Sequence, residues 1–152
     1  MCRWTSQQHS SGQTVIVVDA GFVVTMLTDD GLAGRRVRRR VVNEQMVAPE
    51  IIDLEVTSAV RRLVRKEVLS EDAARVAIAD LGALPIGRES DTPLLPRIWE
   101  LRHNVTPYDA AYVALAEQAG VTLVTGDARL TGASGPRCTF ELFGSSWSGA
   151  TP

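Results

Sequence analysis

At 152 residues the chain is long enough for one domain with a proper core and too short for two. Apolar residues make up 45% and charged residues 22%, an ordinary globular mixture. The formal net charge of −2 excludes a polycation, so nucleic acid could be held only by a local basic patch or through bound cations.

Met1 to Gln13 is rich in Ser, Gln and Thr, lacks the apolar centre of a signal peptide and reads as a disordered N-terminal extension. Val15-Ile16-Val17-Val18 is a β-branched run expected to be a fully buried strand, closed by Asp19. Helices are expected over Ala20 to Leu27 and over Gly31 to Val42. Met46 to Ala48 reads as a short strand ended by Pro49, and Glu50 to Leu69 as a helix with Ile52, Val56, Ala59, Val60 and Leu63 on one side.

Ser70-Glu71-Asp72 starts a helix running to about Leu81, Ala83 to Ile86 makes a weak strand, and a helix covers Leu94 to Arg102. Thr106 caps the next helix, with Pro107 at its first position and Gly120 at its end. Val121 to Val124 is a second clear buried strand, Thr125-Gly126-Asp127 a turn, and Cys138 to Phe143 a last strand before a flexible tail over residues 144–152. Strands alternating with helices predict a three-layer α/β/α sandwich with a central parallel sheet over residues 14–143.

In such sheets ligands bind beyond the carboxyl ends of the strands, where Asp19 and Asp127 fall. Either could equally be structural, Asp19 as a helix cap and Asp127 in an Asx-turn. Thr106-x-x-Asp109 fits a capping box. Glu55 lies at the edge of its helix's apolar stripe, and periodicity does not choose it over Asp53 on the other flank. It is the combination that suggests a site. Clustered carboxylates repel one another unless a cation sits among them, and hard oxygen ligands suit Mg²⁺ or Mn²⁺.

Other chemistries find no support. His9 and His103 are isolated, and Cys2 and Cys138 stand at opposite ends of the chain, which fits neither zinc ligation nor a disulfide framework and points to a cytoplasmic setting. There is no Gly-x-Ser-x-Gly and no phosphate-cradling Gly-x-x-x-x-Gly-Lys. A phosphoacceptor receiver needs a lysine after a late strand, and Lys66 sits on a mid-chain helix. No apolar run is long enough to span a membrane.

Four segments resemble PIN-domain ribonucleases, and within them the VapC-type toxins of bacterial toxin–antitoxin pairs. They are Val17-Val18-Asp19-Ala20; Ala48-Pro49-Glu50 leading to Glu55-Val56-Thr57-Ser58-Ala59-Val60; Tyr108-Asp109-Ala110-Ala111-Tyr112; and Leu123-Val124-Thr125-Gly126-Asp127. The resemblance implies that Asp19, Glu55, Asp109 and Asp127 are the catalytic and metal-binding acids, and it selects Glu55 over Asp53. It implies supporting roles for Thr125 and for Ser58, which stands in place of an asparagine, and it leaves Gly21 where a serine is common. It makes residues 1–13 surplus to the family's domain.

The same resemblance implies metal-dependent endonucleolytic cleavage of RNA by activated water, a cognate VapB-like antitoxin and a homodimer. Arg35, Arg36, Arg38, Arg39 and Arg40 offer phosphate contacts, against the plainer reading of a solvated helix face. A housekeeping RNA-processing nuclease of the same fold stays open. So does a non-catalytic α/β binding module, although such a module should have lost one or more of the acids.

Overall fold

The computed structural model describes residues 13–144. The expected N-terminal extension and flexible tail lie, apart from Gln13 and Gly144, outside the described residues. Five parallel strands form one sheet in the order β3-β2-β1-β4-β5: β1 (Thr14–Val18), β2 (Glu44–Pro49), β3 (Ile86–Glu89), β4 (Thr122–Thr125) and β5 (Phe140–Leu142). The predicted parallel sandwich is therefore the fold. Val17 and Val18 on β1, Val47 on β2 and Leu123 and Val124 on β4 are fully enclosed, which requires helices on both faces of the sheet.

Chain order and strand order diverge at β1, where the next strand in sequence lies on one side and β4 on the other. Helices α1 (Ala20–Thr28), α2 (Leu32–Arg40), α3 (Ile52–Arg65) and α4 (Glu71–Ala83) join β1 to β2 to β3 and pack among themselves. A 3₁₀ turn (Thr92–Leu94), α5 (Leu95–Glu100) and α6 (Pro107–Ala119) carry the chain back to β4, with α6 against β1 and β2. Among the described residues no helix is long and apolar enough to cross a membrane.

The departures from expectation are local. The weak strand is Ile86–Glu89 and not Ala83 to Ile86, because Pro85 has no N–H for a ladder and the strand can begin only after it. Helix α3 is confined to Ile52–Arg65; past Lys66 the chain turns through Glu67, whose φ of 57° is outside any helix. The segment expected as one helix over Leu94 to Arg102 opens as the 3₁₀ turn, since Pro93 and Pro96 remove successive donors. A short α7 (Ala128–Thr131) stands where only a turn was foreseen.

Helices α1 and α2 cross very closely at Gly34. A Cβ there would lie 1.7 Å from the Asp29 carbonyl oxygen, and Arg38 locks the same corner by donating to the carbonyls of Met26 at 2.7 Å and Asp29 at 3.0 Å. Gly34→Ala should therefore push α2 off α1 and cost about 2–4 kcal/mol, read as a lower urea midpoint. An unchanged midpoint would mean that the corner relaxes freely.

Candidate metal centre

Asp19 is held from three sides. Its own backbone N–H continues the sheet by donating to the Val124 carbonyl at 3.2 Å, which seats it at the junction of β1 and β4. Oδ1 caps α1 by accepting from the Phe22 N–H at 2.7 Å. Oδ2 accepts from the Thr125 hydroxyl at 2.6 Å and from the Gly126 N–H at 3.2 Å. Thr125 is fully buried, and its hydroxyl also accepts from the Asp127 N–H at 3.1 Å. The capping role and the site role of Asp19 are thus not alternatives.

Behind this corner the Phe143 ring meets Phe22 edge-on at 5.1 Å. Gly126 lies flat against Phe143, since a Cβ there would come within 3.0 Å of the ring. At Gly21, where the resemblance leads one to expect a serine, a Cβ would point toward Asp19 Oδ1 at 3.5 Å. A hydroxyl contact to Asp19 is what this chain lacks.

Glu55 and Asp53 separate cleanly. Asp53 accepts a forked pair from Arg88 at 3.0 and 3.2 Å, and Arg88 is itself fixed by the carbonyls of Leu81, Leu84 and Ile86. Glu55 instead points across the sheet edge and accepts from the Tyr112 hydroxyl of α6 at 2.5 Å. Asp109 stands one turn before Tyr112. Its backbone N–H donates to the Thr106 hydroxyl at 3.2 Å, and that hydroxyl donates to Asp109 Oδ2 at 2.7 Å. Thr106 caps α6, but the Asp109 carboxylate takes the Thr106 hydroxyl and not its backbone N–H, so only half of the expected capping box forms, and that hydroxyl aims the carboxylate.

Electrostatics tie three of these acids together. Burial pushes the Asp19 carboxyl above its ordinary range against its three hydrogen bonds, and the Asp109 charge adds to the rise. Burial also raises Glu55 against the Tyr112 hydrogen bond, with the charges of Asp109, Asp19 and Asp91 adding to it. Burial and the hydrogen bond to Glu55 hold the Tyr112 phenol in its neutral, donating form. None of Asp19, Glu55 and Asp109 takes part in an ion pair among the described residues, whereas Glu44, Glu117 and Glu141 each have an arginine.

Asp127 is different. It caps α7 and is paired with Arg129, and the hydrogen bonds from that side chain hold its carboxyl below the usual range. With Asp109 it lines a cavity of about 240 Å³. As the side chains lie, no three Asp, Glu, His or Cys among the described residues are grouped to hold an ion. The fit to a divalent cation is one of chemistry: the donors are all carboxylate oxygens, and the Asp109 charge disfavours ionisation of both Asp19 and Glu55.

Two expectations are corrected. Ser58 is exposed and its hydroxyl accepts only from Arg62, at 3.4 Å, so it does not brace Glu55. The arginine run is not a free phosphate-binding face either. Arg38 is the α1–α2 lock; Arg40 is gripped by Glu44 at 2.7 Å and Glu141 at 2.9 Å at the amino ends of the strands; Arg35 donates to the Asp30 carbonyl. Only Arg36 and Arg39 make no hydrogen bond among the described residues. Conversely, Tyr112 and Arg129 matter more than periodicity suggests. For Tyr112 the available signal was its place three residues after Asp109, on the same helix face.

Residues 16–135 match the PIN domain family. The chain is 43% identical over 130 residues to ribonuclease VapC1 of Mycobacterium tuberculosis, covering 83% of this chain and 96% of that protein. It is 37% identical over 128 residues to ribonuclease VapC9 of the same organism, covering 84% and 98%. Among solved structures, VapBC2 of Rickettsia felis bound to a promoter DNA fragment superposes with a TM-score of 0.63 at 12% identity, over 86% of this chain and 100% of that one. VapC20 of Mycobacterium tuberculosis, a toxin that cleaves the sarcin–ricin loop, gives 0.59 at 18% identity, over 77% and 93%.

The contrast between the two neighbouring acids on α3 is directly testable. Glu55→Gln keeps an acceptor for Tyr112 and removes a repelled charge, so the metal-free protein should melt higher and lose cleavage. Asp53→Ala should cost about 1 kcal/mol, the pair being partly exposed, and leave cleavage intact. Melting curves run beside an RNA cleavage assay read both, and the reverse pattern would make Asp53 the functional acid.

Proposed function

This chain belongs to the PIN-domain family and, within it, to the VapC ribonucleases, and from that premise we propose that it is a divalent-metal-dependent endoribonuclease, the toxin of a toxin–antitoxin pair. The observation that carries the reading is the coupled set Asp19, Glu55 and Asp109, partly buried and without a cationic partner at the carboxyl edge of the sheet. A binding module has no need to keep three acids there, two of them raised by the charge of the third.

Asp19, Asp109 and Asp127 would hold Mg²⁺ or Mn²⁺, with Glu55 completing the set or acting as base. When bound, such an ion cancels the conflict between acidic pocket and polyanion, acidifies a water and stabilises the leaving oxygen. The protein's own contribution is orientation. Thr125 and the Gly126 N–H fix one oxygen of Asp19 and the α1 cap fixes the other, so its outward lone pairs have one direction. Tyr112 occupies Oε2 of Glu55 and leaves Oε1 to accept a proton from the attacking water. The raised affinity of Glu55 for a proton suits that step near neutral pH.

A VapB-like antitoxin partner, a homodimer and a cytoplasmic setting belong to the same proposal. Leu54 on α3 and Val76 and Ile78 on α4 leave apolar side chains in solvent, a surface of the kind that a partner covers.

Asp19→Asn, Asp109→Asn and Asp127→Asn should each lower RNA cleavage by at least about 100-fold, a loss of roughly 3 kcal/mol in the barrier. Cleavage should need Mg²⁺ or Mn²⁺, stop in excess chelator and be poorly supported by Zn²⁺, which prefers nitrogen and sulfur ligands. Undiminished cutting in chelator would end the metal reading.

A further inference from the structure

Asp127 is the one expected ligand that already has a cation. Its Oδ1 accepts from the Arg129 backbone N–H at 2.8 Å and from Nε at 3.3 Å, and its Oδ2 accepts from Nη2 at 3.2 Å. Both carboxylate oxygens are therefore covered by one residue. The guanidinium is not needed for the cap, which the backbone N–H alone makes. It is 94% exposed, and its only hydrogen-bond partner among the described residues is Asp127. Among the described residues Arg129 is also the only basic one lining the cavity that Asp109 and Asp127 share.

We infer that Arg129 is a tethered placeholder for the metal, which holds the Asp127 charge compensated until an ion binds and, once displaced, grips a phosphate of the RNA beside the scissile one. The inference rests on the metal reading of the acids given above. The physical reason is a conflict of charge and space: the fork lies against both Asp127 oxygens, and a divalent cation entering there would stand beside a like charge. An exposed ion pair of this kind is weak enough to be exchanged. Released, the planar fork stays two residues from Asp127, at the mouth of the acidic pocket, where a phosphate oxygen pair is its natural partner. Metal entry thus frees this positive group more fully for a polyanion approaching the pocket. Metal and RNA binding are thereby coupled.

The test uses two affinities that should move in opposite directions. Mn²⁺ binding is measured by calorimetry without RNA for the wild type, R129A and R129K. Binding of a labelled, uncleavable 2′-O-methyl oligoribonucleotide is then measured with Mn²⁺ present. R129A should take up Mn²⁺ about two- to five-fold more tightly, the ceiling set by a weak exposed pair, and bind the oligonucleotide about ten-fold less tightly. R129K should fall between on both measures, since lysine keeps the charge and loses the fork. Unchanged or weaker Mn²⁺ binding in R129A, or unchanged oligonucleotide binding, overturns the inference. Absence of Mn²⁺ uptake by wild type and variants alike overturns the metal reading itself, and the inference with it.

Discussion

The hydrogen bond from Thr125 to Asp19 ties β4 to β1, the strand pair with the greatest sequence separation in the sheet. Thr125 closes β4 and Asp19 follows β1, 106 residues earlier. Because Thr125 is completely buried, its hydroxyl must find a partner inside, and Asp19 is that partner. The same hydroxyl receives the Asp127 N–H, so one buried side chain sets the position of two acids. Everything else at this edge is arranged around them. Phe143 fills the space behind, glycine at 126 lets the ring approach, and α1 starts from the Asp19 carboxylate.

That arrangement is held together against its own electrostatics. Asp19 and Glu55 are each disfavoured as charged groups by burial, and the Asp109 charge adds to the rise of both. A protein selected only for stability would place arginine or apolar residues there, as this chain does at Glu117, where Arg97 and the Arg137 N–H hold the carboxylate charged. The cost at the strand ends is offset by the rest of the fold: a sheet buried on both faces, with each enclosed aliphatic side chain contributing about 1.5–3 kcal/mol. The unfavourable charge that Asp19 and Glu55 carry is of the kind that a bound cation relieves.

Capping and function are often posed as rivals for a residue, and here they coincide. Asp19, Asp109 and Asp127 all lie at helix starts, and in each the cap uses a backbone N–H or a threonine hydroxyl that also fixes the carboxylate's direction. A helix start is a good place for an acid that must stay ionised in company, because the first-turn amides and the dipole favour negative charge. Glu55, in the first turn of α3, has no such cap bond and borrows Tyr112 from the other side of the sheet edge.

The amino-acid sequence by itself determined the parallel sandwich, the strand-end positions of Asp19 and Asp127 and the helix start at Asp109. These follow from β-branched runs, alternation of strand and helix, and caps, all of which act within a few residues. It did not decide between Asp53 and Glu55, because both flank one apolar stripe, and what separates them is Arg88 on one side and Tyr112 on the other, 35 and 57 residues away. Nor could it sort five closely spaced arginines into the Arg38 lock, the Arg40 clamp, the Arg35 bond to the Asp30 carbonyl and two without a hydrogen bond among the described residues, since the lock and clamp partners lie on α1, β2 and β5. Tertiary structure decided these matters for one reason. A charged side chain's role is set by what stands opposite it, and in a sheet whose order departs from chain order, what stands opposite comes from a distant part of the sequence.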